Sequence, residues 1–339
     1  MKLKILLLLL ITFQGYSQVS VGPRHIGKSK DFKGGVIEKF KKTETIFLLS
    51  NIYDKEEYEK ILNDSWNVTS FKIVDLEGFN IENYLSNKYS IAQLGGFKRI
   101  KQMKSGTSTS LFTYIDFKVY DSEKIFEKLD KLSPERRKKK RESIINDNSS
   151  NIARFYIFPK DDFINTSLSK KMSEIVNSLY TDDVFFNYKL GFLKNYFQKI
   201  NNLIKNEEIY WMYEDDYLPD LKKLATHKLY IPSYMNIKFN GWTGQDSEAD
   251  DNNIDDIFKK YEYQYEIISD DDLNNRILDN QELYYLRYVR MNAERFLQVV
   301  NSKTGEIIYR NYITGLSYKI KSKHIKDLNG DIKKALKGK

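Results

Sequence analysis

The apolar positions of this chain change period along its length, and those changes mark out its elements. Thr45–Ser50 is a short, nearly continuous apolar run of strand length, the pattern of a strand covered on both faces. Asp54 then stands where an N-cap belongs, and Tyr58, Ile61 and Leu62 follow at helical spacing. Ser70–Asp75 predicts a second strand, Phe79, Ile81 and Tyr84 a short helix, and Tyr89–Leu94 a third strand. Ser110–Tyr120 alternates, with Leu111, Thr113, Ile115, Phe117 and Val119 on one face. Ser122–Leu132 has helical spacing, and Asn151–Pro159 reads as a further strand.

The same order returns later. His227–Met235 matches the first strand and Ile254–Tyr261 the first helix. At an offset of 194 residues Phe71 falls on Tyr265, Phe79 on Leu273 and Ile91 on Tyr285. Phe296–Asn301 and Glu306–Tyr312 form two strands about a turn in which Gly305 supplies a positive φ. Between the two sets, Ser167–Leu179 and Phe185–Ile204 read as helices. The aromatic positions Phe185, Phe186, Tyr188, Phe192, Tyr196 and Phe197 form a core seam. The predicted architecture is α/β: two tandem β-α-β-α-β-hairpin units with mixed sheets, over 36–160 and 225–339, separated by a helical connecting segment over 161–224.

The stretch Tyr284–Val289 followed by Phe296–Tyr309, with its Thr304-Gly305-Glu306 hairpin, resembles small envelope α/β domains. These are the periplasmic domain of the curli secretion channel, the lipoprotein activators of penicillin-binding proteins and the amino-terminal domain of the Tol translocation protein. The resemblance covers about 228–312, and 45–120 more faintly. The whole chain also resembles uncharacterised secreted proteins of Bacteroidetes. The resemblance implies an envelope scaffold or binding role and supplies no catalytic residue.

Met1–Ser17 has the form of a secretory signal peptide. Lys2 and Lys4 precede the apolar run Ile5–Phe13, and Gly15 and Ser17 are small residues before a cut at Gln18. That run is too short to span a bilayer. The expected location is therefore periplasmic or secreted, with no transmembrane segment after cleavage. The chain has no cysteine among its 339 residues, which excludes disulfides, thiolate nucleophiles and cysteine-based metal centres. His25, His227 and His324 are scattered, and such histidines in charged sequence are usually exposed. The net charge of +8 comes from mixed signs, and its densest cationic run is Arg136–Arg141. Ser133, Pro134 and Glu135 ahead of that run read as an N-cap, a first-turn proline and a first-turn acid. The run is then a solvated helix face or a contact for an anionic surface; export excludes nucleic acid.

No phosphate-binding glycine loop, nucleophile elbow or cofactor motif is present, so no cofactor is expected. Gly34-Gly35 and Gly95-Gly96 read as turns. Carboxylates form the one dense ionisable constellation: Glu207, Glu208, Glu214, Asp215 and Asp216 surround Tyr210, Trp211, Met212 and Tyr213. Acids beside aromatics suit a glycosidase pair or a sugar-binding surface. The ligand-binding residues expected are Tyr210, Trp211, Tyr213, Glu214 and Asp215. Asp246, Glu248 and Asp250 alternate as oxygen ligands for Ca²⁺ would, but Ile257 stands where an EF-hand needs its bidentate Glu. Two functional readings follow. One is an exported, non-enzymatic binding or scaffold module for an envelope protein or surface glycan. The other is a hydrolase of glycan or cell-wall material using a pair from Glu208, Glu214, Asp215 and Asp216.

Overall fold

The computed structural model describes residues 18–25, 28–103, 106–240, 245–248, 253–291, 294–315 and 320–338; the expected leader, Met1–Ser17, lies outside them. The chain opens with β1 (Val19–Val21), α1 (Val36–Lys41), β2 (Glu44–Leu48), α2 (Lys55–Ser65) and β3 (Ser70–Ile73). A 3₁₀ turn at Ile81–Tyr84 leads to a long hairpin of β4 (Tyr89–Met103) and β5 (Gly106–Tyr120). Helices α3 (Ser122–Asp130) and α4 (Pro134–Asp147) precede β6 (Ser149–Tyr156). The first six strands make one sheet in the order β1-β6-β5-β4-β2-β3, parallel about β2 and antiparallel elsewhere.

Three helices follow, α5 (Asp161–Ser167), α6 (Met172–Thr181) and α7 (Leu190–Lys205). The second sheet uses β7 (Asp216–Tyr217), β8 (Leu229–Pro232) and β11 (Tyr265–Ile268), then β12 (Tyr284–Met291), β13 (Glu294–Asn301) and β14 (Ile307–Ile313). Its order, β7-β14-β13-β12-β8-β11, repeats the first sheet strand for strand. Lys72 and Ile91 flank Ile46 in one sheet; Glu266 and Tyr285 flank Tyr230 in the other. The offset read from sequence relates both flanking pairs. The crossovers of the second unit are α8 (Asn253–Phe258) and α9 (Asp270–Leu278), and α10 (Ser322–Leu336) closes the chain. Among the described residues no helix is long and apolar enough to cross a membrane.

Several boundaries differ from expectation. The first sheet gains β1 from before residue 36, and the second gains β7 from within the expected connecting segment. The helix expected at Phe185 begins at Leu190, because Phe185 bridges Pro159 in extended backbone. Gly95 and Gly96 lie inside β4 rather than in a turn; a Cβ on Gly96 would sit 2.8 Å from the Phe112 carbonyl oxygen. Gly34 and Gly35 do turn, both with positive φ.

The largest departure concerns α7. It is no linker: it lies in a core shared by both units. Tyr196 stacks on Phe155 at 4.4 Å, and Phe197 meets Phe47 edge-on at 5.5 Å, both from the first sheet. Phe192 meets Tyr285 of the second sheet at 5.6 Å. With both flanks covered, Lys194, Asn195, Lys199 and Asn201 are buried too, and each finds a partner. Lys194 pairs with Asp64 of α2 at 3.0 Å and donates to Asn280 beyond α9 at 2.9 Å. Asn201 accepts the backbone N–H groups of Asn67 and Val68; Asn195 donates to the Ser302 carbonyl. The helix therefore holds the backbone of both units by side-chain hydrogen bonds as well as by packing.

Helix α10 follows β14 as α7 follows β6, with α5 and α6 as the difference. Its buried stripe, Ile325, Leu328 and Ile332, belongs to the same core as Leu221 and Leu224 of the 3₁₀ segment before β8. Its other side carries the exposed Lys323, Lys326, Asp327, Lys333 and Lys334.

Candidate functional site

The aromatic and acidic residues singled out in the sequence form a strap between the two sheets. Tyr210 pairs with Val21 at the edge of the first sheet, through hydrogen bonds of 2.8 and 2.9 Å. The Met212 N–H donates to Ser20 Oγ at 2.9 Å. The chain then enters β7, which pairs with β14 at the edge of the second sheet. Short hydrogen-bonded contacts at both ends hold Tyr210–Tyr217 in place.

One residue organises this strap, and the sequence reading missed it. Arg310 of β14 is buried and forms a fork on Asp216, with Nε to Oδ1 at 2.5 Å and Nη2 to Oδ2 at 2.6 Å. The same Nη2 reaches Glu214 Oε2 at 3.1 Å, and Nη1 donates to the Trp211 carbonyl at 3.2 Å. The guanidinium also lies 4.1 Å from the Tyr210 ring centre, and Lys199 Nζ lies 4.5 Å from it. Burial works against the charge of Arg310, but Tyr210, Asp216 and Glu214 outweigh it and hold the group protonated. Asp215 takes a different partner, accepting the Tyr312 N–H at 2.6 Å.

This geometry changes what each candidate can do. Trp211 is 7% exposed, so its ring is core rather than a sugar platform. Cations already occupy the Tyr210 ring, and Tyr213 packs between Trp211, Phe296 and Tyr312. Glu214 and Asp216 share one guanidinium, which offsets one of their two charges and fixes both carboxylates in place. Glu207 pairs with Lys41 at 2.6 Å and Glu208 accepts from Asn206 at 3.1 Å, so neither joins that pair. Burial pushes the Glu214 carboxyl up against the pull of Arg310. It also pushes Asp215 up, opposed by the Tyr312 amide and Arg310.

Beside the strap runs a groove of about 770 Å³, with Asp215, Arg310 and Asn311 on one wall and Lys326, Asp327 and Asp331 of α10 on the other. Lys334 neutralises Asp331 at 2.7 Å. Of the expected binding residues, Asp215 is the one that lines this groove. A second hollow of about 290 Å³ lies between the end of α7 and the strap, with Lys199, Tyr210 and Asp216 in its lining.

The other candidates lie elsewhere. Asp246 and Glu248 fall on β10 (Gln245–Glu248), paired antiparallel with β9 (Ile237–Asn240). Asp250 lies outside the described residues. Among the described residues no group of three or more His, Asp or Glu is placed to hold a metal ion. Two histidines expected to be exposed are buried. His25 lies 3.7 Å from Asp116, which in turn forms a fork with Arg154 at 2.8 Å; His324 accepts the Lys321 N–H at 3.1 Å near the start of α10. His227 is exposed beside Lys223.

No family model, curated protein or solved structure matches this chain.

Proposed function

We propose that the protein is an exported, non-enzymatic binding module of the cell envelope, taking its ligand in the groove beside Asp215. One observation carries the reading: Arg310 engages Glu214 and Asp216 together, which makes them ionic struts of the strap, while the adjoining groove is open. Its volume lies in the range of small-molecule and side-chain pockets. The leader-like Met1–Ser17 and the envelope-domain resemblance of 228–312 support export. An envelope protein or a surface glycan is the class of partner. The test is capture from envelope extract with tagged chain from Gln18 onward, beside binding to purified glycans, repeated with Asp215→Ala. A partner that is retained by the parent and lost in the variant supports the reading. Equal retention by both removes the groove.

The alternative, a glycan- or cell-wall-directed hydrolase, draws on the raised carboxyls of Glu214 and Asp215. Alanine at Glu208, Glu214, Asp215 and Asp216 together decides it: turnover of a cell-wall glycan that survives the fourfold variant ends this alternative.

A further inference from the structure

Helix α4 breaks the local rules that the rest of the fold obeys. Six consecutive cations, Arg136–Arg141, occupy a 14-residue helix whose one buried residue is Ile145. Arg136 stands one turn before Lys139 and Lys140, so like charges face each other at i,i+3 and i,i+4, a destabilising arrangement. The run also begins in the first turn, where the helix dipole disfavours cations. Two of the six are paired outside the helix: Arg137 with Asp130 at 3.5 Å and Arg141 with Glu82 at 2.8 Å. Glu135 and Glu142 lie a turn either side of Lys138 and Lys139. Among the described residues, however, no ion pair reaches Arg136, Lys138, Lys139 or Lys140, all four exposed. The second unit joins β13 to β14 by a short turn at Ser302–Glu306, where the first unit inserts α3 and α4 between β5 and β6. The fold therefore does not need this helix to connect its strands. Features that cost local stability without structural necessity are where function is expected.

The chemistry of the exposed face narrows the partner. It carries three ammonium groups, one guanidinium and no aromatic ring, so it lacks the row of aromatic platforms on which a nucleic-acid groove stacks bases. The two isoleucines of the helix, Ile144 and Ile145, are not exposed, so neither is offered to insert into a bilayer. Four unpaired cations on one helix match a plane of phosphate headgroups.

We propose that the outward face of α4 docks the protein on an anionic phospholipid surface through Arg136, Lys138, Lys139 and Lys140. This assignment is independent of the groove beside Asp215. The test is co-sedimentation of the chain from Gln18 onward, which holds every described element, with vesicles. Equal parts phosphatidylglycerol and phosphatidylcholine are compared with phosphatidylcholine alone, at low and high salt. Binding is expected to the anionic vesicles only, to be released by salt, and to fall at least about tenfold in R136Q/K138Q/K139Q/K140Q. A control, K28Q/K30Q/K33Q/K323Q, removes the same charge from exposed positions elsewhere and is expected to bind as the parent does. Unchanged thermal melting by circular dichroism excludes misfolding of either variant. The proposal is overturned if the control loses as much as the α4 variant, or if the α4 variant binds like the parent. It is equally overturned if the parent ignores vesicles while α4-dependent binding to soluble dextran sulfate remains, which would make the partner a polyanion and not a membrane.

Discussion

Asp161, the first residue of α5, and Arg290, near the end of β12, form an ion pair with both side chains 5% exposed. The pair joins the segment after the first sheet to a central strand of the second. Arg290→Met leaves a buried carboxylate with its guanidinium partner removed, a change expected to cost about 3–5 kcal/mol. Asp161→Leu combined with Arg290→Met is expected to recover most of that loss, because neither charge is then left buried alone. Urea unfolding of the single and double variants measures both. Because α7 belongs to both units, tryptophan fluorescence and far-UV circular dichroism are expected to report one coincident transition in the parent.

Gly305 tests the docking of the second hairpin on α7. Its φ is +70°, and a Cβ there would meet the Asn195 carbonyl oxygen at 2.6 Å and Gln198 Cβ at 2.8 Å. Gly34 has nearly the same φ, +65°, with nothing within 4 Å. Gly34→Ala is therefore expected to pay backbone strain alone, about 1 kcal/mol. Gly305→Ala adds a collision with helix backbone and is expected to cost more than twice as much. Equal losses in thermal stability would mean that the turn does not press on the helix.

The order of elements along the chain and the repeat were legible because period-two and period-3.6 patterns survive in both units; the strand order within each sheet was not. The role of α7 was not. A helix covered on two sides keeps an apolar seam, but its Lys194, Asn195 and Lys199 look solvent-facing until their partners on other elements are known. Arg310 was hidden for a related reason. Both faces of its strand are covered, so alternation no longer separates inside from outside. The signal that could have found it was the acid triplet Glu214–Asp216 next to apolar sequence, which calls for a buried cation. Of the candidate aromatics Trp211 and Tyr213 pack together at 5.3 Å, and the place of the strap follows from the pairing of Tyr210 with Val21, which lies far away in sequence.

Arg310 therefore offers a direct test of the strap. Arg310→Gln removes the fork on Asp216 and the contact with Glu214. Because those carboxylates are partly exposed, the expected loss is about 2–3 kcal/mol, below that of a fully buried pair. Arg310→Lys retains charge but not the planar fork, and is expected to fall between. Hydrogen exchange supplies the local readout: amides over 210–217 are expected to lose protection before those of α7. Uniform loss across both sheets would show that Arg310 supports the whole core and not the strap.

The buried histidines are expected to make the fold sensitive to mild acid. Burial, with Arg154 adding to it, lowers the His25 pKa from 6.5 to about 3; Asp116 pulls the other way and Lys118 lowers it further. Burial, with Arg295, Lys323 and Lys321, lowers His324 to about 4. Both rings are thus neutral when folded, while in the unfolded chain they take up protons as pH falls through 6.5. The unfolded state then binds more protons, so stability falls as pH drops through this window, by up to about 1.4 kcal/mol per unit for each histidine. Asp116 acts lower down. Burial pushes its carboxyl up, but Arg154, His25 and Lys118 outweigh this and hold it below the usual carboxylate range, so its share is lost only at stronger acid. His25→Gln and His324→Gln together are expected to flatten the stability profile between pH 6.5 and the carboxylate range while leaving the steeper loss below it. A profile as steep in the double variant as in the parent would place the acid sensitivity in the carboxylates alone.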